Sequence, residues 1–137
     1  MASIVLAMKP KWMELILDGR KTVEFRRAMP KNLEPGDKVH LYCRGYIHGS
    51  CMVKAVHYGT SGQLASDFAH MGCIDRNEAQ RYLYGGKRPG VIELEDAYYD
   101  SFPWEGPVVQ NFVYYVRQDI GTEIPCSEVG KEASCEH

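Results

Sequence analysis

What most constrains this chain is how often it interrupts itself: runs of apolar or alternating residues are repeatedly ended by glycine or proline before they reach any length. Short runs with period-two patterning and β-branched or aromatic residues read as strands, and the breakers read as turns between them. Ile4 to Met8 is a short apolar run and reads as a largely buried first strand. Pro10 suits the first turn of a helix, where its missing N–H would be unpaired anyway. Trp12, Leu15 and Ile16 recur at helical spacing, and Asp18-Gly19 supplies the stop.

Thr22 to Arg26 alternates, with Val23 and Phe25 on one face and Thr22, Glu24 and Arg26 on the other. Pro30, Pro35 and Gly36-Asp37 mark a loop. Val39, Leu41 and Cys43 then alternate with His40, Tyr42 and Arg44. Ser50 to Tyr58 reads as the hairpin partner of that strand, with Gly45 and Gly49 in the connection. Gln63 to Phe68 is a short helix. Asp75 followed by Glu78 has the form of a capping box and opens a helix to Tyr84, closed by Gly85-Gly86. Val91 to Tyr98 and Val108 to Arg117 read as strands around a turn at Pro103 to Pro107, and the chain beyond Gly121 is polar.

With 137 residues, 45% of them hydrophobic and 25% charged, the chain fits one globular domain with its own core. The expected organisation is a domain over residues 1–120 and a polar tail over 121–137. About five short sequential strands with three short helices between them suggest an α+β fold in which the sheet curls into a small barrel. No apolar run approaches the roughly 20 residues that span a bilayer. The apolar stretch Ile4 to Met8 is too short for a signal peptide and has no basic residues before it, so a cytoplasmic protein without a membrane partner is expected.

The five cysteines (Cys43, Cys51, Cys73, Cys126, Cys135) are odd in number and contain no CxxC pair, so they read as thiols, with Cys43 and Cys51 as small buried hydrophobes. His40, His48, His57 and His70 lack ligand spacing, and no metal or cofactor is expected. The net charge of −2 conceals an asymmetry: up to Arg44 there are nine Lys/Arg against five Asp/Glu, and beyond it seven against thirteen. The balances are +4 and −6. A local anion-binding site fits this distribution better than a surface that coats nucleic acid through many phosphates.

The densest chemistry lies in Gly19-Arg20-Lys21-Thr22-Val23-Glu24-Phe25-Arg26, which fits GxKxxExR. Arg26 offers a planar fork, Lys21 a point charge and Glu24 an acceptor, a set able to hold a phosphate or a base edge. Lys9, at the end of the first strand, Thr22 and the rim residue Arg44 complete the candidate ligand-binding set. The residues alone fit a surface ion-pair ladder equally well. Trp12 reads as core. Tyr42, Tyr98, Tyr114 and Tyr115 could stack a base but read first as barrel packing, and Gln110-Asn111 as loop capping.

The octet resembles the signature of ASCH domains, a branch of the PUA-like superfamily. Leu6 to Pro10 is similar to that family's opening strand and Lys-Pro. Gly36-Asp37-Lys38-Val39 resembles its Gly-Asp turn, and Ile74 to Glu78 with Tyr82 and Gly85 its later helix. The resemblance spans Ile4 to about Arg117 and implies a PUA-like barrel with a cleft that binds RNA, a nucleotide or a nucleoside. It also implies an alternative. Some small ASCH proteins are amidohydrolases acting on acetylcytidine, and ribonuclease activity is attributed to others; Lys21 and Glu24 would then be the catalytic pair. The amidohydrolases carry a Thr where this chain has Glu24, and a Glu shortly before the last helix where His70 to Cys73 has no carboxylate, so only Lys21 carries over.

Overall fold

The computed structural model describes residues 2–106 and, as backbone, the strands Val113–Arg117 and Thr122–Ile124. The first strand, β1 (Ala2–Ala7), leads into helix α1 (Pro10–Leu17), with Pro10 in its first turn as its missing N–H dictates. A turn through Gly19, whose φ is +83°, delivers the chain to β2 (Val23–Arg26). Strands β3 (Lys38–Cys43) and β4 (Tyr46–Tyr58) form a hairpin. Helix α2 (Ser61–Phe68), a 3-10 turn (His70–Gly72) and helix α3 (Arg76–Leu83) follow. The long β5 (Gly90–Pro103) returns along β4, and β6 (Val113–Arg117) and β7 (Thr122–Ile124) complete the described strands. β7 lies inside the segment expected to be a polar tail; the rest of that tail, Tyr114 and Tyr115 as side chains, and Gln110-Asn111 fall outside the described residues.

The strands make one mixed sheet in the order β2-β5-β4-β3-β1-β6-β7, curled into a half-barrel, so the expected α+β barrel architecture is the observed one. β1 and β3 run parallel and the other described neighbours antiparallel. β1 is covered on both faces: Ile4 and Leu6 enter the main core with Trp12, Met13 and Ile16 of α1, while Val5 packs with Tyr42 and Ile47. A second core joins Val23 and Phe25 of β2 to Leu64 and Ala65 of α2 and Ala79 and Leu83 of α3.

The β3–β4 hairpin turns on Arg44-Gly45, with φ of 53° and 89° and Cys43 paired to Tyr46. Two successive positive φ angles match the twist of the flanking strands, which is why the connection is two residues long and does not run on to Gly49 as the glycine spacing suggests. β5 also exceeds its expected length, because it passes through bulges and continues. Between Ser50↔Tyr98 and Met52↔Glu95 it carries one residue more than β4, and Asp96 there has φ +55°. Such bulges bend and twist a long ribbon, and three register shifts along β4–β5 supply the curl.

Gly49 sits at one of these shifts. A Cβ there would lie 2.6 Å from the Tyr98 carbonyl oxygen and against the Leu17 side chain. Gly49→Ala is therefore expected to destabilise the fold by about 1–3 kcal/mol through overpacking. In urea unfolding the midpoint should fall with the slope unchanged; an unaltered midpoint would show that α1 and β5 move apart without cost.

Candidate functional site

β2 is four residues long and pairs with β5 alone, Glu24 opposite Ile92 and Arg26 opposite Gly90. Strand alternation sends Val23 and Phe25 to the α2–α3 core and leaves Glu24 and Arg26 on the other face. That second face is not open to water. Glu24 and Arg26 are 0% exposed and Lys21 1%, making Arg26 and Lys21 the two largest fully buried side chains among the described residues. Thr22, half-buried, ties this segment down through its backbone: its N–H donates to the Met71 carbonyl at 2.9 Å, and its own carbonyl accepts from the Leu94 N–H at 2.8 Å.

Glu24 stands between the two cations. Its Oε1 is 3.7 Å from Lys21 Nζ and its Oε2 3.6 Å from Arg26 Nη1. Lys21 Nζ donates to the Gly72 carbonyl at 3.0 Å and lies 4.9 Å from the Trp12 ring and 5.6 Å from Phe25. The ammonium thus has one carboxylate, one carbonyl and two aromatic faces around it. Burial is the largest influence on Lys21 and lowers its pKa, while Glu24 and then the Cys73 thiol oppose that shift. Glu24 is also felt by Cys51: burial first, and this carboxylate second, push the thiol up to about 12. Cys51 belongs to the main core, so the charged triad lies against the inside of the curled sheet.

Lys21, Glu24 and Arg26 therefore converge, and they do so in an enclosed position. The other expected contributors stand elsewhere. Lys9 is exposed and precedes α1. Arg44 is exposed in the hairpin turn, at a cavity it lines with Met13, Leu17, Tyr46 and Tyr99. Two contributors have no charge to mark them in the sequence. The Trp12 ring is core and also faces Lys21. The Gly72 carbonyl comes from a turn 51 residues away, where a Cβ would press into the Phe25 ring, and this is why glycine stands there.

The remaining side chains divide by environment. Tyr42 is buried, as expected of barrel packing, whereas Tyr98 is 41% exposed with Lys38 Nζ 5.5 Å from its ring centre. β5 carries Tyr98 outward because the Asp96 bulge resets the alternation. His40 bonds Ser50 Oγ at 2.8 Å, His48 the Cys43 carbonyl at 3.1 Å and His57 the Glu93 carboxylate at 2.6 Å, while His70 is exposed. Burial, then the Lys38 charge, lower the His40 pKa against the pull of Asp100. Among the described residues Cys43, Cys51 and Cys73 are thiols, Cys51 fully buried and Cys43 half-buried. No helix among the described residues is long and apolar enough to cross a membrane.

The ASCH domain family model matches residues 6–114. Among solved structures, the chain is similar to the crystal structure of ASCH from Zymomonas mobilis, with a TM-score of 0.73 at 17% identity over 90% of this chain and 96% of that one. A tyrosine-to-phenylalanine mutant of that protein gives a TM-score of 0.74 at 18% identity, covering 85% of this chain and 91% of its own. No curated protein matches the chain.

Two outcomes follow from the enclosure of the triad. Glu24→Ala leaves two cations buried without their carboxylate and is expected to cost on the order of 3–5 kcal/mol in chemical denaturation. A cost near zero would mean that water already reaches the site. The second outcome is a pH dependence. The folded pKa of Lys21 lies below the ordinary 10.5, so between the two values the unfolded chain holds more protons than the folded one. Stability from this group is complete above 10.5 and is lost as pH falls through the folded pKa. The stability difference between the parent and Lys21→Met should therefore shift in the parent's favour as pH rises toward that limit. A pH-independent difference would place Lys21 in water.

Proposed function

Since the chain belongs to the ASCH domain family, we propose that it is an RNA- or nucleotide-binding protein whose ligand engages the Lys21–Glu24–Arg26 network. The observation that carries this reading is the burial of two cations around one carboxylate, at 0–1% exposure, on a four-residue edge strand and the turn that leads into it. A buried ion pair seldom outperforms apolar packing of the same volume in stability, so its presence asks for another reason. A cluster of desolvated charged groups, one of them with its pKa lowered by burial, is a candidate functional site.

The network suits such a ligand. Arg26 can fork onto a phosphate or a base edge, Lys21 adds a point charge, and Glu24 accepts from an amino or hydroxyl group and holds the cations apart from one another when no ligand is present. The Gly72 carbonyl is the group a ligand oxygen would displace from Lys21 Nζ. Specificity in this reading comes from one or two nucleotides, with few phosphates contacted, so the dependence of affinity on salt is shallow.

A second reading is favoured by one observation. Burial lowers the Lys21 pKa, which raises the share of the neutral amine that a hydrolase acting on a modified nucleoside or on RNA would use as base or nucleophile. Against it stand the missing partners: Glu24 replaces the amidohydrolases' threonine, and the His70–Gly72 turn presents a backbone carbonyl to Lys21.

Lys21 separates the two. In a binding protein Lys21→Arg keeps much of the affinity for a short single-stranded RNA, and Lys21→Ala loses about 1–2 kcal/mol, as a charged hydrogen bond does. In an enzyme both variants abolish turnover, because an arginine with a pKa above about 12 supplies no neutral amine. Affinity and product formation from acetylcytidine and from single-stranded RNA are measured together. Parent turnover that vanishes in both variants would replace the binding reading, and absence of RNA binding at low salt would remove RNA as the ligand.

A further inference from the structure

Helix α3 buries Ala79 and Leu83 in the second core and turns its opposite face to water. That face carries Asn77, Gln80, Arg81 and Tyr84, at the i, i+3, i+4 and i+7 spacing that aligns side chains along one side of a helix. The four line an open recess of about 490 Å³. None of them is acidic, and Tyr84 is 75% exposed, more than any other large hydrophobic side chain among the described residues.

The surroundings of Tyr84 are basic. Arg27, the residue after β2, donates from Nη2 to the Tyr84 carbonyl at 3.4 Å. The Arg88 N–H donates to the Arg27 carbonyl at 3.1 Å, and its guanidinium bonds the Met29 carbonyl, so the turn after α3 is pinned to the end of β2. Residues 75–90 contain Arg76, Arg81, Lys87 and Arg88 against Asp75 and Glu78, a balance of +2 within the portion of the chain whose total is −6. The recess itself combines one cation, an exposed aromatic ring and two carboxamides with no carboxylate, and further cations flank it at Lys87 and Arg88. It matches what single-stranded nucleic acid requires: a ring for stacking, cations for phosphates and amides for base edges.

We propose that this face of α3 is a platform for single-stranded RNA, with a base stacked on Tyr84, base edges met by Asn77 and Gln80, and phosphates held by Arg81 and Lys87. The proposal rests on the reading that the chain binds RNA, and it adds a second contact outside the buried triad. The two positions are joined through the backbone. Arg26 and Arg27 are consecutive, and the turn that gives the Gly72 carbonyl to Lys21 runs into the N-cap of α3 at Asp75.

The test uses the full chain, a labelled single-stranded RNA of about a dozen nucleotides and a mononucleotide, with affinities from fluorescence anisotropy and competition. Tyr84→Ala should weaken the oligonucleotide about tenfold, the scale of one lost stacking contact, and leave the mononucleotide unchanged; Tyr84→Phe should bind as the parent does. Arg81→Gln should reduce the slope of log affinity against log salt by about one. Both positions are exposed, and thermal melting confirms that the variants fold. If Tyr84→Ala and Arg81→Gln bind the oligonucleotide like the parent while Lys21→Ala does not, the α3 platform is overturned and the buried-triad reading stands. If Lys21→Ala is harmless and the α3 variants are not, the platform stands and the triad reading falls. Displacement of the RNA by polyglutamate at equal charge would overturn the platform in favour of an acidic peptide surface.

Discussion

Glu24 is the interaction on which the rest of the molecule turns. One carboxylate, fully removed from water, stands between an ammonium and a guanidinium that are equally buried. Separations of 3.6 and 3.7 Å are too long for strong hydrogen bonds, so the attraction is largely Coulombic and its size depends on how thoroughly water is excluded. Exclusion needs every wall. The α2–α3 layer seals β2 from one side, the main core and α1 from the other, and the Gly72 turn closes over Lys21. Removing a wall would hydrate the cations and weaken their mutual ordering, which couples the packing of both cores to the electrostatics of three side chains.

The curl of the sheet follows from the same demand. β2 lies at one edge of the sheet beside β5, against which α1 packs, so the walls around the triad meet at the β2–β5 end of the ribbon. The register shifts along β4–β5 bend that ribbon, and residues that break alternation, such as Asp96 with φ +55°, sit where the bend is made. The cost of such backbone positions is offset by the burial they permit: Leu94, Ile92 and Val91 all enter cores on the far side of the bulge.

Much of this is legible in the sequence, and the gaps have physical causes. The β1 run, the proline-led α1, the Asp75 cap and the alternation of Val39, Leu41 and Cys43 rest on local rules, and the structure places elements at each. In α3 the Asp75 carboxylate accepts from the Asn77 and Glu78 backbone N–H groups as its position requires. The octet marks Lys21, Glu24 and Arg26 as neighbours. Period-two reasoning does not reveal whether their face is covered, since a polar face normally meets water and here the cover comes from Trp12 and from a turn 51 residues later. Lys9 and Arg44 enter the expected set by their places at strand ends, which do not tell where a side chain points; Arg44 occupies a left-handed turn position at the hairpin tip. The α3 face escapes for a related reason: the chain beyond Arg44 is acidic in sum, and a local group of four cations against two carboxylates disappears in that sum.

The placement of Arg26 and Arg27 shows how one edge strand can serve two environments. Consecutive residues at its end point to opposite sides, so a guanidinium locked inside the sheet is followed by one that reaches the turn after α3. The interior residue is held by a carboxylate and full burial, and its position is insensitive to salt. The outer one is half-buried, held by a single carbonyl, and its field reaches solvent within a Debye length of about 8 Å. A polyanion approaching α3 would first feel the outer charges, which screen with salt, and only after contact the inner ones, which do not. In the proposed binding reading, burial sets the order of engagement: the exposed cations would govern encounter, and the enclosed triad what stays bound.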